Sequence, residues 1–304
     1  MPSEYGIRYK DKRNWSGYNE RLVRRGELYL SMDWLDSWDD ELGAMNGGKR
    51  GRPYDFPESM MRFLAAVRQI LRMQYRQMEG FLRGMSRVVP KVKPADYTTL
   101  WWRIADMELE IPAPRGDGPF VIAFDSTGIK VTNRGEWMRE KWHRHRGWIK
   151  VHLAVDVKGG PVAVDVTDER IADTRMFPAL VEKAESVVGE GQILEGLADA
   201  AYDSRANFQL LEDKGIGAGI RIKAGATCKS LGSSARPRAV RELRALGYDG
   251  WKEKHGYGMR WAAEWTFSAE KRMFGESVMA KRTDLMYREV IAKFAVYAML
   301  LQMP

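Results

Sequence analysis

The feature that most constrains the fold is a change of sequence pattern near Pro112. Before this residue the apolar side chains recur at helical spacing, and after it they alternate or run together as they do in β-strands. The strand-like part opens with P-F-V-I-A-F-D-S-T-G-I-K-V and continues with the hairpin H-L-A-V-D-V-K-G-G-P-V-A-V-D-V. The chain therefore combines an all-α N-terminal part with an α/β C-terminal part.

The order of elements after Pro112 is β-β-β-α-β-α-β-α. This succession is typical of the ribonuclease H-like fold, whose mixed sheet places its first and fourth strands side by side. We therefore predict an α/β architecture, with a ribonuclease H-like catalytic domain over residues 113–304. A basic segment at about 224–255, poor in apolar periodicity, is expected to be an insertion before the last helices.

The all-α part divides into an N-terminal segment with a basic linker, residues 1–50, and a helical domain, residues 51–112. One helix is predicted from Pro57, a second over 75–85 and a third after Asp96, which is a good N-terminal cap. Three short helices in succession indicate a helix-turn-helix-like, DNA-binding region. The alternative is a helical packing domain that binds no ligand.

The DNA-binding interpretation assigns contacts to particular side chains. Arginines of the first two helices would meet phosphates, while the third helix would enter a major groove. The predicted contacts in this region are Arg76, Arg83, Thr98, Thr99 and Arg103.

Three carboxylates are predicted to converge from distant parts of the sequence. Asp125 lies in the first strand, Asp199 ends the fourth, and Glu264 lies on a helix expected to cross the sheet. Such a cluster of hard oxygen ligands binds Mg²⁺ or Mn²⁺. Two ions about 3.5 to 4 Å apart would serve in-line phosphoryl transfer. Asp203, four residues after Asp199, is an equally possible ligand from its position.

The segment around Glu264 carries a narrow polar strip. At 100° per residue, Tyr257, Arg260, Glu264 and Lys271 fall within a strip about 60° wide on a helix. The adjacent stripe, expected to be buried, is formed by Met259, Ala263, Phe267 and Phe274. Arg260, Lys271 and Tyr257 are interpreted as DNA contacts beside the metal site. The alternative is a solvated face with one i,i+4 ion pair.

Charge and composition agree with a polyanionic partner. The formal charge is +8, and residues 221–260 hold ten Lys or Arg against three Asp or Glu. Solvated surface charge is the alternative. The single cysteine excludes an internal disulfide framework and favours a reducing cytoplasm. No membrane partner and no small-molecule substrate are expected.

Several blocks of this sequence resemble one family. The spacing Tyr257-(2)-Arg260-(3)-Glu264-(6)-Lys271 resembles the Y-(2)-R-(3)-E-(6)-K signature of bacterial and archaeal insertion-sequence transposases of the DDE type. F-D-S-T-G and A-D-A-A-Y-D-S resemble the family's first and second catalytic strands. Three upstream blocks are similar to its N-terminal region: N-W-S-G-Y-N-E-R-L-V-R-R-G, G-R-P and P-A-D-Y-T-T-L.

The resemblance implies a DNA transposase that binds terminal inverted repeats, cuts at the element's ends and joins the exposed 3′-hydroxyls to target DNA. Asp125, Asp199 and Glu264 would be its catalytic, metal-binding triad, with two Mg²⁺ ions that Mn²⁺ can replace. Double-stranded DNA and at least a homodimer on that DNA are the expected partners. In the basic loop K-W-H-R-H-R-G-W, Arg144 and Arg146 are predicted DNA contacts. A nuclease of the same fold and a non-catalytic DNA-binding relative are the competing functions.

Overall fold

The computed structural model describes residues 14–29, 31–116, 118–131, 148–229 and 232–302. Its strands are β1 (Phe120–Lys130), β2 (Trp148–Asp156), β3 (Gly160–Asp168), β4 (Ile193–Ala198) and β5 (Gly217–Ile220). Its helices are α1 (Trp15–Leu28), α2 (Trp38–Asn46), α3 (Glu58–Leu71), α4 (Tyr75–Val88), α5 (Tyr97–Ala105), α6 (Asp173–Val188), α7 (Arg205–Asp213), α8 (Ala235–Lys254), α9 (Trp261–Phe274) and α10 (Thr283–Leu301).

The strands form one mixed sheet in the order β3-β2-β1-β4-β5. β1, β2 and β3 pair antiparallel, whereas β4 pairs parallel with both β1 and β5. The predicted adjacency of the first and fourth strands is therefore confirmed. The parallel pairs require crossover connections, which α6 and α7 provide.

Each face of the sheet is covered by a different set of helices. On one face Phe124 of β1 packs against Phe177 of α6, with ring centroids 4.8 Å apart. On the other face Leu153 and Val151 of β2 share a core with Phe267 of α9 and Phe294 of α10. Because successive strand residues point to opposite faces, Asp125 lies on the α9 face and Ser126 on the α6 face.

The N-terminal helices share their core with the C-terminal ones. Met60 and Leu64 of α3 are fully buried in a cluster that also contains Phe274 of α9 and Val296 of α10. This core crosses the predicted boundary at residue 112. The helical region and the sheet domain are therefore joined through α9 and α10.

Some elements differ from the sequence-based expectations. The helices α1, α2 and α8 were not anticipated, and α4 extends to Val88 beyond the predicted end at Met85. Met259 was expected on the buried stripe but is 41% exposed, because Tyr257–Arg260 form a 3₁₀ turn before α9 begins. Helical spacing at 100° per residue does not apply to that turn.

The basic segment at 224–255 folds onto the sheet domain through α8. Val240 and Ala235 of α8 join the core on the α6 face, and Gly247 interrupts the helix with a φ of 67°. Arg236 donates to both carboxylate oxygens of the buried Asp203, at 2.5 and 2.8 Å. Asp203 also accepts a hydrogen bond from the Lys223 amide at 2.9 Å, so its carboxylate fixes the basic segment to the sheet domain.

Within the described residues, no helix is long and apolar enough to cross a bilayer.

Replacement of Asp203 by Ala is expected to lower the free energy of unfolding by about 3–5 kcal/mol, because it leaves the Arg236 guanidinium buried without its partner. Urea denaturation of the purified protein measures this. The control is Glu212→Ala, which removes the partly exposed partner of Arg238 and should cost about 1 kcal/mol or less. Equal losses in the two variants would contradict the structural role of Asp203.

Candidate active site

Two of the predicted carboxylates are placed side by side by the pairing of β1 with β4. Phe124 and Ala198 are partners in this parallel ladder, and each is followed by an aspartate, Asp125 and Asp199. Asp125 accepts from the Ser126 amide at 2.9 Å, and Asp199 caps a 3₁₀ turn by accepting from the Ala201 amide at 2.8 Å. Both side chains are thus oriented by neighbouring backbone donors.

The third carboxylate comes from the first turn of α9. The helix packs across β1 and β2, and the positive end of its dipole favours a negative charge at Glu264. The Arg260 guanidinium joins Glu264 to Asp125: Nη2 lies 2.5 Å from Glu264 Oε1, and Nη1 lies 3.3 Å from Asp125 Oδ2. Two turns further along α9, Lys271 donates to Thr127 Oγ1 at 2.8 Å.

The electrostatics couple all three carboxylates. Burial raises the pKa of Asp125 to about 6, and the charges of Asp199 and Glu264 add to the rise. The Ser126 amide and the Arg260 charge oppose it. A carboxyl with a strongly raised pKa among other acids is typical of a functional site.

The donor set fits a divalent cation. Among the residues that the structure describes, no three His, Cys, Asp or Glu side chains already form a metal-binding group. Instead the single positive charge of Arg260 lies between two of three acids that repel one another. Carboxylate oxygens are the ligands that Mg²⁺ and Mn²⁺ prefer, and added positive charge would relieve this repulsion.

Asp203, the alternative to Asp199 from sequence, is engaged elsewhere. Its side chain is fully buried and bonded to Arg236 and the Lys223 amide, whereas Asp199 is half-buried and its charge acts on Asp125. The geometry therefore places Asp199 at the site and Asp203 in the support of α8.

A polar cluster on the α6 face of the sheet was missed by sequence reasoning. Asp173, at the start of α6, lies 2.8 Å from Lys150 Nζ and 3.3 Å from Nδ1 of the buried His152. Burial raises the pKa of Asp173, but the nearby polar groups of His152, Lys150 and Ser126 outweigh it and hold the pKa well below its usual range. Ser126 is adjacent to Asp125, so this cluster supports β1 from behind. The alternation of Lys150 and His152 on one face of β2 was the available signal.

The predicted DNA contacts have different environments. Arg76 and Arg83 are exposed, with Arg76 over the ring of Tyr97 and Arg83 paired with Glu79. Three others are engaged by partners within the chain: Thr98 and Thr99 donate their hydroxyls to Asp96, and Arg103 is 2.9 Å from Glu58. Arg144 and Arg146 lie outside the described residues.

The side chain of Tyr257, another predicted DNA contact, is also not exposed. It is 7% exposed, its ring centroid lies 5.0 Å from that of Trp251, and Arg260 lies 5.9 Å above it. Tyr257 therefore supports Arg260 from the core. Trp261 and Trp265 on α9, by contrast, are 64% and 76% exposed on either side of Glu264.

We expect Asp125→Asn to stabilise the protein at pH 7 to 8 in the presence of a chelator, by about 1–3 kcal/mol. The pKa of Asp125 is raised in the folded protein, so the wild type loses stability as the pH rises from about 4 to about 6, and the amide does not. Urea denaturation at pH 4 and pH 8 measures the difference, which should vanish at pH 4. A difference in stability between variant and wild type that is the same at pH 4 and pH 8 would contradict the raised pKa of Asp125.

Comparisons with known proteins identify a family. Two family models, each described as a transposase DDE domain, match residues 23–134 and 117–299, and the second alone spans more than half of the chain. Among solved structures, the chain matches one from the cryoEM structure of the simian T-cell lymphotropic virus intasome in complex with PP2A regulatory subunit B56 gamma. The identity is 13%, the match covers 69% of this chain and 74% of that one, and the TM-score of 0.26 is too low to bear on the fold.

The carboxylates in the middle of β1, just after β4 and at the start of α9 all lie within the longer of these matches. By that match over more than half its length, the chain belongs to the transposase DDE domain family.

Proposed function

We propose that this protein is a DNA transposase that binds the terminal inverted repeats of an insertion sequence, cleaves at their ends and transfers the 3′-hydroxyls to target DNA. The observation that carries the proposal is the convergence of Asp125, Asp199 and Glu264 beside the two central strands of the sheet, with the pKa of Asp125 raised to about 6. The family membership supports the DNA transposase activity.

The strand order supports a ribonuclease H-like assignment for residues 113–304. In that arrangement β1 and β4 carry the two aspartates at the centre of the sheet, and a later helix brings the glutamate. The Tyr257, Arg260, Glu264 and Lys271 spacing supports the narrower assignment to the Y-R-E-K group.

Asp125, Asp199 and Glu264 would hold two Mg²⁺ ions. When bound, such ions lower the pKa of the attacking water or hydroxyl and neutralise charge on the phosphate. The chemical change is a displacement at phosphorus: a water or 3′-hydroxyl oxygen forms a bond to phosphorus, its proton passes to solvent, and the bond to the departing strand oxygen breaks. The carboxylates position this reaction and form no covalent bond to the DNA.

Two cations beside the carboxylates would orient the DNA strand. Arg260 is held between Asp125 and Glu264, and a fork of guanidinium donors suits a phosphate as well as a carboxylate. Lys271 is held by Thr127 on β1. The exposed rings of Trp261 and Trp265 would lie against bases or sugars next to the cleaved bond.

The helical region 51–112 would hold the DNA further from the reaction. Arg76 and Arg83 of α4 are exposed and would reach phosphates, whereas Thr98, Thr99 and Arg103 would act by fixing α5 to its neighbours. Since two element ends must be joined together, we propose at least a homodimer on DNA, acting where chromosomal DNA is found, in the cytoplasm.

Replacement of Glu264 by Gln keeps the shape of the side chain and removes its charge. With Mg²⁺ or Mn²⁺ and labelled duplexes carrying the element's ends, we expect cleavage to fall by about 100-fold or more while DNA binding persists. The matched control is Glu276→Gln, an exposed carboxylate two residues beyond α9, which should cleave normally. Cleavage by the Glu264 variant at the wild-type rate would refute the three-carboxylate mechanism. Cleavage without joining of pre-cut ends would identify a nuclease instead.

Binding to duplex DNA should weaken steeply with salt, because each neutralised phosphate releases counterions. The double variant Arg76→Ala/Arg83→Ala is expected to reduce the slope of log affinity against log salt by about 2. Fluorescence anisotropy at salt concentrations between about 50 and 300 mM measures the slope. Lys183→Ala on α6, away from the helical region, should leave it unchanged. An unchanged slope in the double variant would show that α4 is not part of the DNA interface.

A further inference from the structure

A cavity separate from the three carboxylates lies between the helical region and the C-terminal helix. Its volume is about 320 Å³, and it is enclosed by α3, α5, the loop before α10 and α10 itself. None of Asp125, Asp199 and Glu264 lines it. Its size is within the range of pockets that hold small ligands, about 300–1,000 Å³.

The most informative residue in the cavity wall is Arg68, in the last turn of α3. Arg68 is 5% exposed, and within the described part of the chain no carboxylate lies within ion-pair distance of it. Its Nε has no hydrogen-bond partner there, and its guanidinium lies 4.6 Å from the centroid of the Tyr75 ring. A buried guanidinium is costly to fold without a counter-ion, so Arg68 would stabilise an anion that enters the cavity.

Two more side chains in the wall are suited to the same ligand. Gln69 is 3% exposed, and its Oε1 accepts no hydrogen bond from any described residue. Lys281 is exposed at the rim and has no ion pair within the described ranges. A polar ligand in the cavity would thus find a buried cation, a buried amide and a second cation at the entrance.

The other charged groups of the wall are already paired. Arg282 is bonded to Asp284, and Arg288 to Asp106. The one acid in the wall, Glu289, accepts from the amides of Met279 and Ala280 at 2.7 and 2.8 Å. These bonds hold its carboxylate against the backbone. Arg68 and Lys281 outweigh this one negative charge, so the remaining charge of the wall is positive.

The rest of the wall is apolar and partly aromatic. Tyr75 and Trp101 contribute rings, and Ile104 and Leu285 contribute aliphatic surface. A ligand that fits both parts carries an anion at one end and a flat ring at the other. A phosphorylated nucleoside has this chemistry, since phosphates pair with arginine and bases stack on aromatic rings.

We propose that this cavity binds one phosphorylated nucleoside at the end of a DNA strand, with its phosphate on Arg68 and Lys281 and its base against Tyr75 and Trp101. The choice of a DNA end over a free nucleotide rests on the proposed function, in which the protein handles cut strands. The cavity would hold a strand end at the seam between the helical region and the sheet domain.

The test measures binding by isothermal titration calorimetry with full-length protein in a chelator, so that cleavage plays no part. The probes are a 5′-phosphorylated trideoxynucleotide, the same trinucleotide without the phosphate, deoxyadenosine monophosphate and inorganic phosphate. The variants are Arg68→Met, which keeps the length of the side chain and removes its charge, and Arg62→Met as control. Arg62 lies on the same helix, outside the cavity wall, paired with Glu58.

We expect the wild type and Arg62→Met to bind the phosphorylated trinucleotide at least tenfold more tightly than the unphosphorylated one, and Arg68→Met to lose this preference. We also expect Arg68→Met to have an equal or higher Tm without ligand, because the unpaired buried charge is gone. A lower Tm, or a phosphate preference that survives in Arg68→Met, would overturn the proposal. Equal affinity for the mononucleotide, or binding of inorganic phosphate alone, would exclude the DNA end as the ligand.

Failure here is distinguishable from failure of the proposed function. The Glu264→Gln variant should show the same nucleotide preference as the wild type, since Glu264 does not line the cavity. A protein that cleaves DNA without this preference would lack the cavity site only. A protein that shows the preference and never cleaves would keep the cavity site and lose the transposase assignment.

Discussion

The parallel pairing of β1 with β4 is the interaction on which the rest of the structure depends. It sets Phe124 beside Ala198 at the centre of the sheet, and the next residue of each strand is an aspartate. The pairing is non-local, because 74 residues separate Asp125 from Asp199. It is maintained by core packing on both faces, where Phe124 meets Phe177 and Ala123 faces α9 and α10.

Charge balance at the site depends on Arg260. Three acids within mutual electrostatic range would repel one another, and the guanidinium offsets part of that repulsion by contacting two of them. Its position is set in turn by Tyr257, which is packed against Trp251 of α8. The basic segment 224–255 therefore contributes to the site through packing, in addition to any contact that its surface charges make with DNA.

The strands and the start of α5 could be predicted from local patterns, and the β1–β4 adjacency from the order of the elements, whereas the packing of the N-terminal helices against α9 and α10 could not. β1 and the β2–β3 hairpin follow from apolar runs and a turn, and the start of α5 follows from Asp96, whose carboxylate accepts from the amides of Thr98 and Thr99. The helix α8 was not predicted, because its apolar positions are few and Gly247 interrupts their helical spacing.

The roles of individual polar residues depended on partners distant in sequence. Arg103 was predicted to contact DNA, but in the structure it is bonded to Glu58, which lies 45 residues earlier in the sequence. The sequence left Asp203 as an alternative to Asp199. The structure shows that Asp203 instead accepts hydrogen bonds from Arg236 and from the Lys223 amide. Residue type and spacing therefore indicated the kind of site, and tertiary pairing decided which polar side chains are free.

The helix α9 connects the carboxylate site to the core of the N-terminal helices, and its regular pitch fixes the orientation of one end relative to the other. Glu264 faces the carboxylates at its start, and Phe274 is fully buried against the N-terminal helices at its end. An insertion of one residue between them would rotate one end relative to the other by about 100°. During divergence of related chains, the number of residues between these two positions is therefore held constant by the geometry of the helix.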